Sequence, residues 1–301
     1  MKIQRWLSLA WPDDAIEISV LIPCWHVDST IAGALDSIAA QQGLPPRVHV
    51  EVILVVDGRS LDGSLIEQLI ARRPMPFPFD LILITLSANL GAGMARRIGH
   101  AHSRGEFLAF LDDDDLWHPS KLALQWDWHQ RYPEQICSGH GYRIESGESI
   151  DADGVGCLAS LPYESCHGIR FIGRNRLLIG GSIIHLSTLM IRCSLWSDRP
   201  EPLRFGEDWL MLTMIALIQP IVLLPGDFAW RSAQVPPILL DPFSLSRQRW
   251  YLRCGKMQAI WILHQRGKLS FLLACILLAW NLLLLPRRYL LDAIGAILRL
   301  P

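Results

Sequence analysis

Four consecutive carboxylates follow a short apolar run near the middle of the chain. Phe107 to Leu111 are apolar and of strand length, and Asp112 to Asp115 come directly after them. Such a run is typical of a buried parallel strand, and open α/β sheets bind ligands beyond the carboxyl ends of their strands. Because adjacent carboxylates repel one another, a divalent cation with oxygen ligands is the usual way to offset that repulsion. The segment predicts a metal and phosphate site; the alternative is a solvated acidic turn.

A second acidic pair, Glu207 and Asp208, stands where a helix is predicted to begin. Taken alone, the pair is typical of the negative charge that stabilises the N-terminus of a helix. It gains a catalytic interpretation only in combination with the other motifs of the chain.

A glycine-containing segment, Gly91 to Arg96, follows a predicted strand and has part of a dinucleotide-binding pattern. The third glycine of that pattern is missing, and the segment follows the third strand rather than the first. Asp112 to Asp115 lie about 20 positions further on, where such a site carries its ribose-binding acid. A nicotinamide-dependent reductase is therefore an alternative function, although it has no need of four adjacent carboxylates.

Strand-like and helix-like segments alternate over roughly residues 15–130 and position these groups. One helix-like segment places Ile31, Leu35 and Ile38 on one face, and another covers 92–103. This alternation predicts a parallel sheet covered by helices. The strand-like apolar runs lie at 17–23, 50–56, 81–86 and 106–111. Strands within 131–205 are not assigned, whereas a helix from Glu207 to about Ile218 and a short strand at 221–224 are predicted.

The composition narrows the classes of function. With 28 Lys and Arg against 29 Asp and Glu, the net charge is −1, so no overall charge attracts the chain to nucleic acid. A mean hydropathy of +0.25 and 12 tryptophans favour contact with a membrane surface or with sugars. Seven cysteines without a C-x-x-C pair indicate a reducing cytosol, with neither a disulfide framework nor a structural zinc site.

The C-terminal section predicts attachment to a membrane. Residues 244–268 have helical periodicity and mix Arg and Lys with Trp and Tyr, and 269–285 are almost entirely apolar. A run of this length is at the lower limit for crossing a bilayer. Basic residues flank both of its ends, so crossing the bilayer and lying in one leaflet both remain open.

Several segments, taken in order, resemble the family-2 glycosyltransferases, which are inverting enzymes of GT-A fold that use nucleotide-diphosphate sugars. The resemblance covers about residues 17–232. Leu111 to Leu122 matches the D-x-D segment of the family, and Gly206 to Trp209 resembles its acidic pair. Further segments that resemble the family are Ser19 to Pro23, Ala34 to Gln41, Glu51 to Ser64 and Gly93 to Gly99.

The resemblance implies roles for particular residues. Asp114 is expected to bind Mn²⁺ or Mg²⁺, with Asp115 as a competing ligand, and Asp208 is expected to be the general base beside Glu207. One acceptor-activating base is what an inverting single displacement requires. The residues expected to contact the donor are Pro23, Asp57, Arg96, Asp112 and Asp113.

The chain departs from the family pattern at three places. The usual Thr-Tyr-Asn is Cys24-Trp25-His26, and the second aspartate after the second strand is Gly58. The histidine of a Tyr-Arg-x-His pattern is absent at 230–233. Either Asp57 or Asp62 must then serve the nucleotide, and an inactive membrane-bound GT-A scaffold is an alternative to an active enzyme.

These observations predict an α/β protein with a GT-A-type, Rossmann-like mixed sheet flanked by helices and a C-terminal hydrophobic anchor. Its expected parts are a glycosyltransferase domain at 15–232, a linker with a basic interfacial helix at 233–268 and a membrane-associated segment at 269–301. We expect a nucleotide-diphosphate sugar as donor, a glycan or lipid-linked acceptor in envelope synthesis, and no nucleic-acid partner. The expected location is the cytoplasmic face of the inner membrane.

Overall fold

The computed structural model describes residues 1–6, 16–25, 29–58, 78–144, 168–180, 184–195, 203–231 and 249–283. The strands are β1 (Lys2–Trp6), β2 (Ile18–Cys24), β3 (Val50–Val56), β4 (Asp80–Thr85), β5 (Phe107–Phe110), β6 (Asp115–Trp117), β7 (Cys137–Ile144), β8 (Arg170–Ile172), β9 (Met190–Arg192) and β10 (Ile221–Arg231). The helices are α1 (Ser29–Ala39), α2 (Ala92–His102), α3 (Lys121–Arg131), α4 (Arg174–Gly180), α5 (Glu207–Ile218), α6 (Arg249–Gln265) and α7 (271–283).

One mixed sheet organises the fold, with its strands in the order β1-β4-β3-β2-β5-β9-β7-β10-β6 and with β8 paired to β10. The four strands predicted from apolar runs, β2 to β5, are present and parallel to one another. All seven residues of β2 are buried. The apolar runs therefore reflect a sheet that is covered on both faces, as predicted.

Side chains of β2 and β3 alternate between two cores, one on each face of the sheet. Val20 and Val52 pack with Ile31 and Leu35 of α1, and Leu21 packs on the opposite face with α2. This division follows from the two-residue period of a strand. The helix face predicted at Ile31, Leu35 and Ile38 is buried and thus confirmed.

The remaining strands make the sheet mixed. β9 is antiparallel to both β5 and β7, β10 is parallel to β7, and β6 is antiparallel to β10. The predicted strand at 221–224 was too short. Pro225 and Gly226 indicate a strand end in the sequence, but the register shifts between Leu223 and Asp227 and the strand continues to Arg231. An irregularity of this kind accommodates proline and glycine within a strand.

Helix α5 is buried all round because two layers cover it. Leu212 and Ile215 face the core beside the sheet, whereas Trp209, Leu210 and Met214 pack against residues of α6 and α7. A helix that is apolar on every side is typically enclosed in this way.

The predicted C-terminal anchor is not found as a spanning helix. Within the part of the chain that the structure describes, no helix is both long enough and apolar enough to cross a membrane. Instead, Ala274 and Leu277 of α7 pack with Leu263 of α6 and with α5. Residues 233–248 of the predicted linker and helix at 233–268 lie outside the described residues, as do the last residues, 284–301.

Candidate active site

The acidic run follows β5 at the carboxyl end of this buried parallel strand: Asp112 to Asp114 lie in the turn to β6, and Asp115 is the first residue of β6. The backbone N–H of Asp115 donates to the carbonyl of Asp112 at 3.1 Å and closes the turn. Asp115 is only 1% exposed, whereas Asp112, Asp113 and Asp114 are half-buried. The turn thus directs four adjacent carboxylates into different surroundings.

Arg96 of α2 connects this turn to the second acidic pair. Its Nη2 lies 2.7 Å from Oδ1 of Asp112, and its Nη1 lies 3.2 Å from Oε1 of Glu207. Burial opposes ionisation of Asp112, but the charges of Arg96 and His185, together with the hydrogen bond from Arg96, outweigh it and lower the pKa of the carboxyl. Burial raises the pKa of Glu207 to about 7 in spite of Arg96. The two acidic motifs, far apart in sequence, therefore form one site.

Asp115 lies in a closed polar pocket. The Tyr142 hydroxyl donates to its Oδ1 at 2.6 Å, and the Ser187 hydroxyl donates to its Oδ2. Nδ1 of His185 lies 3.4 Å from the same Oδ2, and the His185 ring stacks on Tyr142 with centroids 4.0 Å apart. Burial, together with the charges of Asp112 and Asp114, raises the pKa of Asp115 to about 8.

Three ligand atoms converge here. Asp112, Asp115 and His185 each place one potential ligand atom within 4.8 Å of the other two. His185 was missed in the sequence, because it lies about 70 positions from the aspartates and has no metal-ligand spacing. Only the approach of the Leu186–Thr188 turn to the β5 end brings it to the site.

Asp114, predicted as the metal ligand, is not one of these three converging residues and has an arginine as its neighbour. Its Oδ2 lies 3.3 Å from Nη2 of Arg231, the last residue of β10, so these two side chains form an ion pair within the protein. Burial and the Asp112 charge raise the pKa of Asp114. The role of Asp114 as a metal ligand remains a prediction, as does that of the competing Asp115.

Asp208, the predicted base, occupies the first turn of α5. Its Oδ1 accepts the N–H of Trp209 at 2.7 Å. The preceding Gly206 has a φ of 75° and contacts the backbone of α6, where an added Cβ would lie 3.1 Å from Gly255 C. A Cβ on Gly255 would lie 2.0 Å from the Phe205 carbonyl oxygen. The α6 backbone thus lies directly against the entrance to the helix that carries Asp208.

Asp57, predicted to contact the nucleotide, is 4% exposed at the end of β3. Its two carboxylate oxygens accept the backbone N–H groups of Leu90 and Gly91 at 2.7 and 2.6 Å. The adjacent Gly58 has a φ of 80°, and a Cβ there would lie 1.8 Å from the Asn89 nitrogen. This close approach explains why glycine replaces the second aspartate of the pattern.

The other donor-contacting candidates lie nearby or outside the described residues. Pro23 is buried in β2 opposite Val55, and Asp113 is half-buried in the β5–β6 turn. Cys24 is buried and Trp25 is 39% exposed. His26 and Asp62 lie outside the described residues.

The glycine pattern that suggested a dinucleotide site has a packing explanation. A Cβ on Gly93 would lie 2.8 Å from the Leu203 carbonyl oxygen and 2.9 Å from Cγ of Glu207. Gly93 therefore lets α2 approach the start of α5, which positions Arg96 beside Glu207.

Comparison with known proteins identifies the same part of the chain. The family described as glycosyl transferase family 2 matches residues 19–196. The succinoglycan biosynthesis protein ExoO of Rhizobium meliloti is 36% identical over 205 residues, which is 66% of this chain and 56% of ExoO. The chain spans about a third to somewhat over half of the length of the first curated relatives that it matches.

Two solved structures have the same fold. TarS 1–349 of S. aureus in complex with UDP-GlcNAc aligns with a TM-score of 0.57 at 20% identity, over 81% of this chain and 66% of TarS. The mannosyltransferase PcManGT of Pyrobaculum calidifontis, in complex with GDP-Man and Mn²⁺, aligns with a TM-score of 0.57 at 18% identity, over 95% of this chain and 81% of PcManGT. At these identities the likeness establishes a mixed α/β fold of the kind these transferases have.

Proposed function

Because the chain belongs to glycosyl transferase family 2, we propose that it transfers a sugar from a nucleotide-diphosphate sugar to an acceptor hydroxyl, with inversion at the anomeric carbon. The single observation that carries this proposal is the double ion pair of Arg96 with Asp112 and Glu207. It joins the carboxylates at the β5 end to the acidic pair that begins α5. A donor-binding group and a base must lie in one site for such a transfer, and the Arg96 ion pairs bring the residues that we propose for these two roles together.

Asp208 is the proposed general base. A single displacement needs one group that takes the proton of the attacking hydroxyl. Since Oδ1 of Asp208 accepts the Trp209 amide, we assign the proton to its other oxygen, Oδ2. Glu207 is a positioning residue in this proposal, because its ion pair with Arg96 fixes the start of α5 relative to the β5 turn.

Mn²⁺ or Mg²⁺ is the proposed cofactor, and the donor set fits a divalent cation. Two carboxylates and one imidazole converge, and Asp115 is buried beside other carboxylates whose charges a cation would offset. We therefore propose Asp112, Asp115 and His185 as the residues that hold it, with Asp114 as the competing ligand. When bound, such an ion neutralises the charge of a departing nucleotide diphosphate.

The proposed place of the nucleotide is the carboxyl end of β2 and β3, where Pro23 and Asp57 lie. Ligands of α/β sheets bind at this edge. Asp57 already accepts the N–H groups of Leu90 and Gly91, so its proposed contribution includes holding that loop against the donor.

The proposed acceptor is a cell-envelope or lipid-linked glycan, which the name of ExoO, a succinoglycan biosynthesis protein, supports for a relative. We also propose the cytoplasmic face of the inner membrane as the place of reaction. The seven cysteines include no C-x-x-C pair, which is typical of a chain in a reducing cytosol. The basic and aromatic residues of the C-terminal section support a place at the membrane.

The test is binding and transfer with the purified full chain. Melting temperature is measured against nucleotide diphosphates and their sugars, with and without Mn²⁺, since a ligand of the folded form raises it. Asp208→Asn should lose transfer by at least about a hundredfold while it still binds the donor. Asp127→Asn, at a surface ion pair with Arg131, is the matched control.

Three outcomes count against the proposal. A shift with NADH or NADPH and none with nucleotide sugars would favour the reductase. Donor binding without turnover for any acceptor would favour the inactive scaffold. Full activity of Asp208→Asn would remove this residue as the base.

A further inference from the structure

One face of α7 is apolar and exposed along its whole described length. It includes Phe271, Leu272, Ile276, Trp280, Leu282 and Leu283, which are between 42% and 71% exposed. We call these six residues the α7 outer face. No charged residue occurs between positions 271 and 283. Contiguous exposed apolar surface of this kind marks a protein or membrane contact.

Unlike a helix on a water-exposed surface, α7 is apolar on its outer face as well as on the face that packs against the protein. Its most polar side chain, Asn281, is fully buried. Asn281 Oδ1 accepts from Nη1 of Arg253 at 2.8 Å, and its Nδ2 donates to the Leu277 carbonyl at 2.8 Å. Amphipathic helices at a protein surface have polar groups outside and apolar groups inside. The arrangement in α7 fits surroundings that are less polar than water.

Basic and aromatic residues lie at the end of α7 that meets α6. Lys268 is exposed and Arg266 is half-buried in the turn between the two helices. Rings form a continuous series there, with centroids 5.3 Å apart for Trp261 and His264 and 5.6 Å apart for His264 and Phe271. Lys, Arg and Trp are the residues that lipid headgroup regions favour.

We propose that the α7 outer face binds the surface of an anionic lipid bilayer, with the helix lying in the plane of the interface. The opposite side of α7, at Ala274 and Leu277, packs against the protein, so only the outer face is available to lipid. A helix that has protein on one side and lipid on the other lies in the plane of the interface.

Charge favours anionic lipid as the occupant. Arg266 and Lys268 lie in the turn that leads into α7, and anionic headgroups complement these two cations. This partner goes beyond the transfer reaction, and binding to it does not depend on that reaction. A dimer through the same face is a separate outcome that the test distinguishes.

Sedimentation of the purified full chain with sucrose-loaded vesicles tests the proposal. The vesicles are phosphatidylcholine alone or phosphatidylcholine with phosphatidylglycerol, at low and high salt. Wild type should bind the anionic vesicles more tightly, and salt should weaken this binding. Phe271→Glu and, as a second variant, Leu272→Glu should each lower the partition coefficient by about tenfold or more.

The matched control is Phe171→Glu, on β8. Phe171 is 61% exposed and Phe271 is 63% exposed, so both substitutions exchange an exposed phenylalanine for the same charge. Circular dichroism and melting temperature check that each variant is folded. A selective loss in Phe271→Glu supports the proposal.

Absence of vesicle binding by wild type, or equal losses in both Phe variants, would overturn the proposal. Resistance of the bound wild type to alkaline carbonate would also overturn it, because it would show insertion across the bilayer. A dimer that Phe271→Glu dissociates, without any effect on vesicle binding, would instead assign the face to a second copy of the chain. Transfer to a water-soluble acceptor is measured in parallel. Because Phe271 is exposed and its ring contacts His264 of α6, its variant should keep this activity, and failure of the two proposals can be told apart.

Discussion

Arg96 and Asp112 form an ion pair of 2.7 Å between α2 and the turn that follows β5. The guanidinium is 12% exposed and the carboxylate 26%, so solvent screens the pair only in part. Burial disfavours the charged arginine, yet the carboxylates of Asp112 and Glu207 outweigh it and raise its pKa. The arginine thus stays ionised and holds two acidic motifs together.

Removing this cation should damage both stability and transfer. Arg96→Met leaves Asp112 and Glu207 as adjacent, partly buried carboxylates without their counter-charge. We expect the free energy of unfolding to fall by about 2 kcal/mol and transfer to fall by at least about a hundredfold. Urea unfolding and transfer rates measure these effects. Arg97→Met, on the exposed side of the same helix, is the control, and equal effects in both variants would contradict the assignment.

The metal ligands can be separated by two matched substitutions. Asp115→Asn should weaken Mn²⁺ binding by at least about tenfold more than Asp114→Asn, because Asp115 belongs to the converging group and Asp114 faces Arg231. His185→Gln should weaken it to an intermediate extent. Electron paramagnetic resonance of free Mn²⁺ measures each affinity without any assay of activity. A larger effect of Asp114→Asn would restore Asp114 as the principal ligand.

Glycine is required at position 58 for two reasons that a control can separate. Gly58→Ala combines a positive φ with a Cβ that would lie 1.8 Å from the Asn89 nitrogen. Gly267→Ala has a φ of 68° and no atom within 4 Å of its added Cβ. We expect Gly267→Ala to cost about 1 kcal/mol and Gly58→Ala at least about 2 kcal/mol more. Equal losses in thermal or urea unfolding would show that the loop moves aside.

Two buried histidines should each lower stability as the pH decreases below 6.5, whereas Asp115 and Glu207, whose pKa values burial raises, act in the opposite direction. Burial lowers the pKa of His129 and of His140 to about 3, and in both cases a nearby cation adds to the shift. In the unfolded chain these side chains take up protons near pH 6.5, so acid favours unfolding. The stabilising contribution is complete above pH 6.5 and is lost progressively between pH 6.5 and about 3.

Urea unfolding at pH 7.5, 6 and 5 measures this dependence. At pH 5 each histidine should account for about 2 kcal/mol of lost stability. Between pH 7.5 and 5, His140→Gln should lose about 2 kcal/mol less stability than wild type, because the contributions of the carboxyl groups are common to both proteins. The same pH dependence in wild type and His140→Gln would contradict a neutral His140 in the folded state.

The local parts of the fold and site were predictable from the sequence. Strands β2 to β5 are continuous apolar runs because both faces of the parallel sheet are covered, and the acidic turn follows the last of them. Such signals depend on neighbours in sequence. The position of Glu207 at a helix start was equally local, although its ion pair with Arg96 was not foreseen.

The antiparallel part of the sheet was not predictable in the same way. β9 has three residues, and its pairing with β5 joins segments about 80 positions apart. His185 reaches Asp115 through that pairing, and no spacing in the sequence indicates it. The apolar run at 269–285 is ambiguous for a different reason: packing against protein and contact with lipid both favour apolar side chains.

The close contact between Gly255 and Phe205 sets a lower limit on the size of a folded fragment. Because the α6 backbone lies against the residues that precede α5, a chain shortened to end after β10 would uncover Trp209, Leu210 and Met214. It would also lose the support behind the turn that carries Asp208. Helices α6 and α7 are therefore part of the folding unit, and a stable shortened chain has to extend through α7.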